Sequence, residues 1–465
     1  MKALIQPQIL DDSYQNFLQT RLQQGCGNGF EPIEDPKFLF DFQHHLFRWA
    51  LNRGRSAIFA DCGLGKTPIS LAWAKNVSVK TGLPVLILTP LAVAHQFVRE
   101  GEKFGIHVRY CKDREVSKPI SVTNYERLHL QDPSFYGGIV CDESSILKNF
   151  SGKTRRQITE FMRVIPYRLL CTATAAPNDY IEFGTSSEAI GELGYMDMLS
   201  RFFKHDSGGF APGHGMFSRG QWRFRGHSEK EFWRWLVSWS RAIRKPSDLG
   251  FSDGRFKLPQ LKLRQYVVSA RSKPEGMLFE LPAMNLHEQR GELRRTVKER
   301  CEKAAELSDT KESIVCWCNL NDESKLLRNL IPDAIEIRGD HSDDKKEEAF
   351  AGFESGSVRV LITKPTIAGF GLNWQHCAHQ IFFPSHSFEQ WYQATRRSWR
   401  FGQTRDVTID IVTTEGQSRV LQNLQRKAIA ADKSFSNLVT LTNDALSIDR
   451  ISNFSTKETL PIWLS

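Results

Sequence analysis

Short aliphatic and β-branched runs alternate with amphipathic stretches along most of this 465-residue chain. Such alternation is typical of parallel sheets whose strands are joined by helices. In the first half the pattern predicts strands at residues 56–60, 85–90, 120–125, 138–142 and 168–174. In the second half it predicts strands at residues 261–268, 313–317, 334–338, 358–363, 380–384 and 407–412. We therefore expect an α/β protein with two lobes.

Residues 186–260 interrupt this alternation with a glycine-rich loop and a helix-like stretch crowded with aromatic and basic side chains. Phe232, Trp235, Trp239 and Ile243 follow helical spacing, which favours a buried face. The interleaved arginines could equally lie in solvent or bind phosphate, so an aromatic and basic nucleic-acid platform stays an alternative. We expect an insertion between the lobes, with a hinge near Pro259.

These features predict five regions of the chain. They are an N-terminal extension (1–37), a first lobe (38–185), an aromatic and basic insertion with linker (186–259), a second lobe (260–442) and a C-terminal tail (443–465).

The composition narrows the class of protein. The formal charge of +9 favours a polyanionic partner only weakly. The nine cysteines lack paired C-x-x-C spacing, which argues against a disulfide framework or zinc site and suits a reducing cytoplasm. The N-terminus has no apolar stretch of signal-peptide length, so neither secretion nor membrane insertion is expected. We expect a cytoplasmic protein.

The sequence ADCGLGKT at residues 60–67 follows a predicted strand and opens a predicted helix. Glycines in such a turn let the main chain approach phosphate oxygens, and the first amides of the helix donate to them. Ala60 stands where the general P-loop pattern has its first glycine. Lys66 is expected beside the β- and γ-phosphates of ATP, and Thr67 is expected to offer its hydroxyl to Mg²⁺. The predicted phosphate site comprises Gly63, Leu64, Gly65, Lys66 and Thr67.

An acidic pair ends the predicted strand at residues 138–142. A P-loop needs a metal-holding acid on a neighbouring strand, and Asp142 is expected to hold Mg²⁺ through water. Glu143 is expected to polarise the water that attacks the γ-phosphate.

Further motifs resemble those of superfamily-two helicases, and among them the Swi/Snf-type ATPases in the compact form that phages and bacteria carry. Gln43, twenty positions before Gly63, resembles the glutamine that reads adenine. LILTPL at residues 86–91 resembles motif Ia, and VTNYERL at 122–128 resembles motif Ib. DESSILKN at 142–149 resembles motif II, and CTATAAPN at 171–178 resembles motif III. IRGD at residues 337–340 resembles the stretch before motif V, and residues 363–373 resemble motif V itself. QATRRSWRFGQ at 393–403 resembles motif VI.

The resemblance implies two RecA-like parallel-sheet lobes in tandem, with ATP bound between them. It places Gln393 and Gly371 at the nucleotide, and it makes Arg397 and Arg400, expected three apart on one helix, arginine fingers that stabilise the transition state. It also implies contacts with a nucleic-acid backbone that do not read sequence. The matching positions are Thr89, Pro90, Thr123, Asn124, Tyr125, Arg338, Gly339, Thr363 and Lys364.

The chain departs from the family pattern at three positions. Ser144 and Ser145 replace the usual Ala-His end of motif II, which puts the coupling of hydrolysis to nucleic acid in doubt. Ala368 stands where motif V often has glycine. Trp374 could stack on a base, although we favour packing inside the protein.

We therefore expect an ATP-dependent DNA helicase or translocase that uses ATP and Mg²⁺, binds duplex or single-stranded DNA and acts as a monomer. Replication, recombination or nuclease proteins are candidate partners. An ATP-switched DNA clamp or recruitment subunit is the alternative. An RNA helicase is a lesser one, because Arg-Phe-Gly-Gln ends motif VI where DEAD-box RNA helicases have H-R-x-G-R.

Overall fold

The computed structural model describes residues 29–148, 150–176, 179–206, 221–269, 286–369 and 372–452. Its first lobe begins with helix α1 (Asp41–Arg53), strand β1 (Arg55–Ala60), α2 (Lys66–Thr81), β2 (Val85–Thr89), α3 (Leu91–Lys103), β3 (Val108–Tyr110) and β4 (Ile120–Asn124). It continues with β5 (Gly138–Asp142), α4 (Lys153–Arg163), β6 (Tyr167–Thr172) and α5 (Glu182–Ile190).

The segment between the lobes contains α6 (Tyr195–Phe202), β7 (Phe203–Asp206), β8 (Gln221–Phe224), α7 (Ser228–Trp239) and β9 (Ser240–Ile243). The second lobe contains β10 (Leu261–Val268), α8 (Leu286–Arg295), α9 (Val297–Leu307), β11 (Ile314–Trp317), α10 (Asn321–Leu330), β12 (Ala334–Glu336), α11 (Asp343–Ser355), β13 (Val360–Thr363) and the short helix α12 (Pro365–Ala368). It ends with β14 (His379–Phe382), α13 (Phe388–Ser398), β15 (Val407–Thr414) and the long helix α14 (Ser418–Ser452).

Two parallel sheets organise the described residues. The first has strand order β3-β4-β2-β5-β6-β1-β9, and the second has the order β10-β15-β14-β11-β13-β12. The predicted architecture of two parallel-sheet lobes is confirmed. Because the carboxyl ends of parallel strands share one edge of a sheet, each lobe gathers its loops there, and ligands of open α/β sheets bind at that edge.

The strands are short apolar runs because both faces of each sheet are covered. In β5, Ile139 and Cys141 belong to one buried cluster of the first lobe while Val140 belongs to the other. The second sheet is divided in the same way, with Val315 on one side of β11 and Cys316 on the other. Burial on both faces thus explains why these strands lack a polar-apolar alternation.

The segment between the lobes packs on the first lobe. Strand β9 pairs in parallel with β1, and this pairing places Ala57 opposite Ser240. The buried side chains of α7 include Phe232, Trp233 and Trp239, which join the core of the first lobe. The expected apolar face is correct at Phe232 and Trp239. Ile243 is also buried, but its expected place on the helix is wrong, because α7 ends at Trp239 and Ile243 lies in β9.

The C-terminal helix α14 starts in the second lobe and reaches the first. The ammonium of Lys427 donates to the carbonyl of His386 at 2.9 Å, and further along the helix Leu438 and Val439 are buried in a core cluster of the first lobe. Arg244 donates to the hydroxyl of Ser436 at 3.1 Å and pairs with Asp432 at 2.8 Å. The helix continues through residue 442, where the sequence placed a domain boundary. The four predicted boundaries stay predictions.

Within the described part of the chain, no helix combines the length and apolar character needed to cross a membrane.

Candidate functional site

The turn between β1 and α2 has the backbone of an anion-binding loop. Gly63 and Gly65 adopt φ values of 86° and 80°, a region that residues with a Cβ rarely enter. The ammonium of Lys66 lies over the turn, where it donates to the carbonyls of Ala60 at 2.9 Å and Asp61 at 3.4 Å. Leu64 is buried below the turn, and Thr67 lies in the first turn of α2. This brings the predicted phosphate-binding residues together at one helix N-terminus.

Gln43 braces this turn from α1. Its amide nitrogen donates to the carbonyl of Leu64 at 3.0 Å, and its amide oxygen accepts from the main-chain nitrogen of Phe40 at 3.0 Å. A Cβ on Gly65 would lie 2.2 Å from the Gln43 amide nitrogen, so glycine is required by this contact as well as by its φ angle. The adenine-reading role of Gln43 stays a prediction, and the structure shows its contact with the phosphate loop.

The acidic pair lies at the carboxyl end of β5, in the centre of the first sheet. Asp142 accepts a hydrogen bond from the hydroxyl of Thr89 at 3.2 Å, and Glu143 accepts one from the hydroxyl of Thr172 at 3.4 Å. Glu143 has φ 52°, the only positive φ among the described residues other than glycine. Such strain is found mainly where a function requires it, because it costs about 1–3 kcal/mol.

Burial and charge make Asp142 an unusual carboxyl group. Burial and, after it, the negative charge of Glu143 raise its pKa from 3.8 to about 7, against the opposing effect of the Lys66 ammonium. Asp142, Glu143 and Lys66 are therefore close enough to interact, as a phosphate and metal site requires. The side-chain oxygens of Thr67 and Asp142 are ligands that suit Mg²⁺. The pKa of Asp142 is raised, and a bound cation would keep this carboxyl group ionised.

Helix α13 carries the motif VI residues of the second lobe, and Gln393 and Arg397 are buried on it. Arg400 lies after the helix, which ends at Ser398, so the expectation that both arginines share one helix is wrong. The two guanidinium groups nevertheless converge, because Arg397 donates to the carbonyl of Leu372 at 3.0 Å and Arg400 donates to the same oxygen at 3.3 Å.

The environment of this arginine pair fits an anion. Burial and, after it, the positive charge of Arg397 lower the pKa of Arg400 to about 10. Within the described part of the chain, the buried amide of Gln393 and the Nε of Arg400 have no hydrogen-bond partner. Buried polar groups normally have partners, so these donors fit the phosphate oxygens of a nucleotide.

A contact between the lobes joins motif VI to the phosphate loop. The guanidinium of Arg396 and the hydroxyl of Tyr392 both bind the carboxylate of Asp61. Sequence reasoning missed these three residues. Their positions in the sequence could have identified them, because Asp61 lies inside the glycine-rich turn and Tyr392 and Arg396 are four residues apart on one helix face. The contact brings Arg397 and Arg400 towards the loop that contains Lys66.

The residues predicted to contact nucleic acid in the first lobe use their side chains within the protein. The hydroxyl of Thr123 donates to the carbonyl of Cys111 at 2.9 Å, the Asn124 side chain accepts from the main-chain nitrogen of Arg127 at 3.1 Å, and the Tyr125 hydroxyl donates to the carbonyl of Asp142. Thr89 is buried against Asp142, as described above. Pro90 is accessible and lines the groove between the lobes.

The corresponding residues of the second lobe are more accessible at Arg338, Gly339 and Lys364. Arg338 forms an ion pair with Asp340 at 3.1 Å. The hydroxyl of Thr363 is buried and donates to the carbonyl of Ile337 at 3.2 Å. Contacts of all these residues with a polymer stay predictions. The buried threonines could contact a polymer only through their main-chain atoms or in a different arrangement of the lobes. Gly371 lies outside the described residues.

Trp374 packs inside the second lobe, as favoured from the sequence. Its ring is buried and lies 5.7 Å from Trp317 and 5.1 Å from Phe353, measured between ring centroids. Ser144 and Ser145, which depart from the usual pattern of motif II, are both buried. The hydroxyl of Ser144 has no hydrogen-bond partner in the described part of the chain.

Comparisons with known proteins identify the fold. No model of a known protein family and no curated protein matches the sequence. Among solved structures, S. cerevisiae Dbp5 bound to RNA and ADP BeF3 is similar with a TM-score of 0.54 and 12% sequence identity, covering 87% of this chain and 98% of that chain. The Sulfolobus solfataricus SWI2/SNF2 ATPase core in complex with dsDNA is 19% identical over 89% of this chain and 96% of that chain, but its TM-score is 0.41, so no argument rests on it. The likeness to Dbp5 shows the fold, which has two tandem RecA-like lobes.

Proposed function

We propose that this chain is a DNA-dependent ATPase that hydrolyses ATP between its two lobes and uses the cycle to move along DNA, as a member of superfamily two with Swi/Snf-like motifs. The contact of Arg396 with Asp61 carries the proposal. It joins α13 of the second lobe to the turn that contains Lys66 in the first, which supports a site where a nucleotide held by Lys66 would face Arg397 and Arg400.

The proposed chemistry is an in-line displacement at the γ-phosphorus. Glu143 orients a water molecule and accepts its proton, the water oxygen bonds to phosphorus, and the bond to the bridging oxygen of ADP breaks. Lys66, Arg397 and Arg400 neutralise the charge that develops on the phosphoryl oxygens. Mg²⁺ supplies further positive charge there when bound, and Thr67 and Asp142 are the residues that would hold it.

A cycle of this kind requires the lobes to change their separation with the nucleotide state. ATP bound at both lobes favours their approach, whereas release of phosphate removes the charge that holds the arginines. The ion pairs and the groove between the lobes are therefore expected to change during the cycle, and a polymer bound across both lobes would be displaced.

The first experiment measures ATP hydrolysis with duplex DNA, single-stranded DNA and RNA in parallel at several salt concentrations. We expect DNA to stimulate hydrolysis and salt to weaken its binding steeply, because the contacts are with phosphates. Stimulation by RNA alone would overturn the DNA assignment and favour the RNA helicase. Hydrolysis that no polymer stimulates would contradict the proposal.

An ATP-switched clamp remains the second candidate because of Ser144, whose buried hydroxyl provides no link to a neighbouring motif in the described structure. Displacement of a triplex-forming strand from duplex DNA separates the two functions. The motor is expected to displace the strand with ATP and not with a non-hydrolysable analogue. A clamp would hydrolyse ATP and leave the triplex intact.

A further inference from the structure

The groove between the lobes is an open cavity of about 780 Å³. Pro90 and Tyr125 of the first lobe and Gly339 of the second, three of the positions predicted to contact the polymer, line this groove. Helix α3 forms one wall and α11 forms the other. A nucleic acid that follows the predicted track would therefore pass between these two helices.

The two walls contact one another through three pairs, each of a basic and an acidic side chain. In the first lobe the basic side chains are His95 and Arg99, which are one turn apart on α3, and Arg127. In the second lobe the acidic side chains lie on or at the start of α11. The pairs are His95 Nε2 with Glu347 Oε1 at 2.9 Å, Arg99 Nη2 with Glu354 Oε2 at 3.7 Å and Arg127 Nη2 with Asp343 Oδ2 at 3.9 Å.

The balance of charge in the groove is unfavourable for a polyanion in this arrangement. Six acidic residues line it, against one histidine, one arginine and two lysines. The acidic residues are Glu126, Glu143, Asp343, Glu347, Glu354 and Glu389. A phosphate backbone that entered the groove would meet carboxylates at the positions where the basic side chains are already paired, and like charges repel.

We propose that His95, Arg99 and Arg127 form a phosphate-binding surface for DNA, and that the carboxylates of Asp343, Glu347 and Glu354 cover it as phosphate mimics until DNA displaces them. The inference rests on the proposed function and adds to it a binding surface of which only Arg127 lies within a quoted motif, the segment 122–128, and a set of carboxylates that covers this surface. We call the three carboxylates the acidic cover.

The three pairs between the walls are weak enough for DNA to displace the acidic cover reversibly. All six side chains are between 30% and 60% exposed, and pairs of this kind contribute about 0–1 kcal/mol each. A DNA backbone that neutralises several cations releases counterions and therefore gains more than these pairs do at low salt. DNA binding would then open the groove, and the groove would close again once DNA leaves.

The test compares two triple variants of the full chain with equal changes in charge. The first removes the acidic cover through Asp343→Asn, Glu347→Gln and Glu354→Gln. The control removes three exposed acids of the second lobe outside the groove through Glu312→Gln, Asp322→Asn and Glu415→Gln. Binding to a fluorescein-labelled duplex DNA is measured by anisotropy at low salt, without nucleotide.

We expect the variant without the acidic cover to bind DNA about three- to tenfold more tightly than the control variant, because its basic surface is free and its groove is less negative. Equal affinity of the two variants would overturn the inference, since net charge alone would then explain the gain.

A second arm tests the basic surface itself. Arg99→Gln combined with Arg127→Gln should weaken DNA binding about tenfold and reduce its dependence on salt, whereas Arg156→Gln, at an exposed position of the same lobe, should change affinity by less than about twofold. Unchanged binding by the double variant would overturn the inference. If the wild-type chain binds no nucleic acid at any salt concentration, the proposed function itself fails, and this outcome is distinct from the other two.

Discussion

The guanidinium of Arg396 in α13 pairs with the carboxylate of Asp61 in the phosphate loop, across the boundary between the two lobes. Arg396 is 1% exposed. Burial alone would lower its pKa, but the charge of Asp61, together with the effects of Tyr392 and Cys62, outweighs this and raises the pKa of Arg396 above its ordinary value. The pair is therefore a buried charge contact, and it fixes the second lobe directly on the glycine-rich turn between β1 and α2.

Arg396→Gln should destabilise the fold by about 3 kcal/mol, because it leaves the largely buried Asp61 without its charged partner. Urea unfolding checks this value. The matched control is Arg156→Gln, which breaks an exposed pair with Glu160 and should cost less than about 1 kcal/mol. Equal losses for the two variants would contradict the role given to the buried pair.

Ionisation of Asp142 should reduce stability as the pH rises. Its folded pKa is about 7, above the value of 3.8 expected in the unfolded chain. Between these values the folded state binds a proton that the unfolded state has lost, so the free energy of unfolding falls with increasing pH. Asp142→Asn removes this contribution.

Urea unfolding of both proteins between about pH 4 and 8, without nucleotide or Mg²⁺, provides the measurement. The stability of the wild type relative to Asp142→Asn should decline across this range. A constant difference would show that Asp142 has an ordinary pKa.

Removal of the ring of Trp374 should damage the core of the second lobe and leave nucleic-acid contacts intact. Trp374→Ala removes a buried ring that packs on Trp317 and Phe353, and such a loss costs about 3–5 kcal/mol. Calorimetry should show the lower stability, while DNA affinity measured below the melting temperature should stay within about twofold of the wild type. A selective loss of DNA binding at unchanged stability would favour base stacking instead.

Shortening a buried side chain of α14 should reduce the stability of the protein much more than shortening an exposed one. Leu438 is 1% exposed and belongs to the core of the first lobe, whereas Ile429 on the same helix is 70% exposed. Leu438→Ala should reduce the free energy of unfolding by about 2–5 kcal/mol, and Ile429→Ala should change it by about 0.5 kcal/mol at most. Similar effects of the two substitutions in denaturant unfolding would argue against the packing of α14 on the first lobe.

The sequence predicted the central strands well because both faces of each are buried, which produces continuous apolar runs such as 138–142. It missed β9, because Ser240–Ile243 directly follows α7 and Ile243 keeps the helical spacing of the aromatic residues before it. The pairing of β9 with β1 depends on a residue distant in the chain, and no local pattern encodes it. The short strand Val108–Tyr110 was missed for lack of length.

The site was predictable where one segment carries the chemistry and less so where two lobes meet. Lys66 and Asp142 follow from local motifs. The pairing of Asp61 with Arg396 requires the arrangement of both lobes, and so do the charge pairs across the groove. The helix end at Ser398 corrects the placement of Arg400. The inward hydroxyls of Thr123 and Thr363 show that a motif match does not establish the direction of a side chain.

The central claim is that Glu143 acts on the water in a nucleotide site shared by both lobes. The most direct measurement is the rate of ATP hydrolysis with saturating duplex DNA for the wild type and Glu143→Gln, with Glu160→Gln on the exposed surface of α4 as control, and with nucleotide binding measured by a fluorescent ATP analogue. We predict that Glu143→Gln binds the analogue with an affinity within about threefold of the wild type and loses at least about 100-fold in rate, as expected for loss of general-base catalysis, while Glu160→Gln keeps both. DNA-stimulated hydrolysis that persists in Glu143→Gln at the wild-type rate would contradict the account.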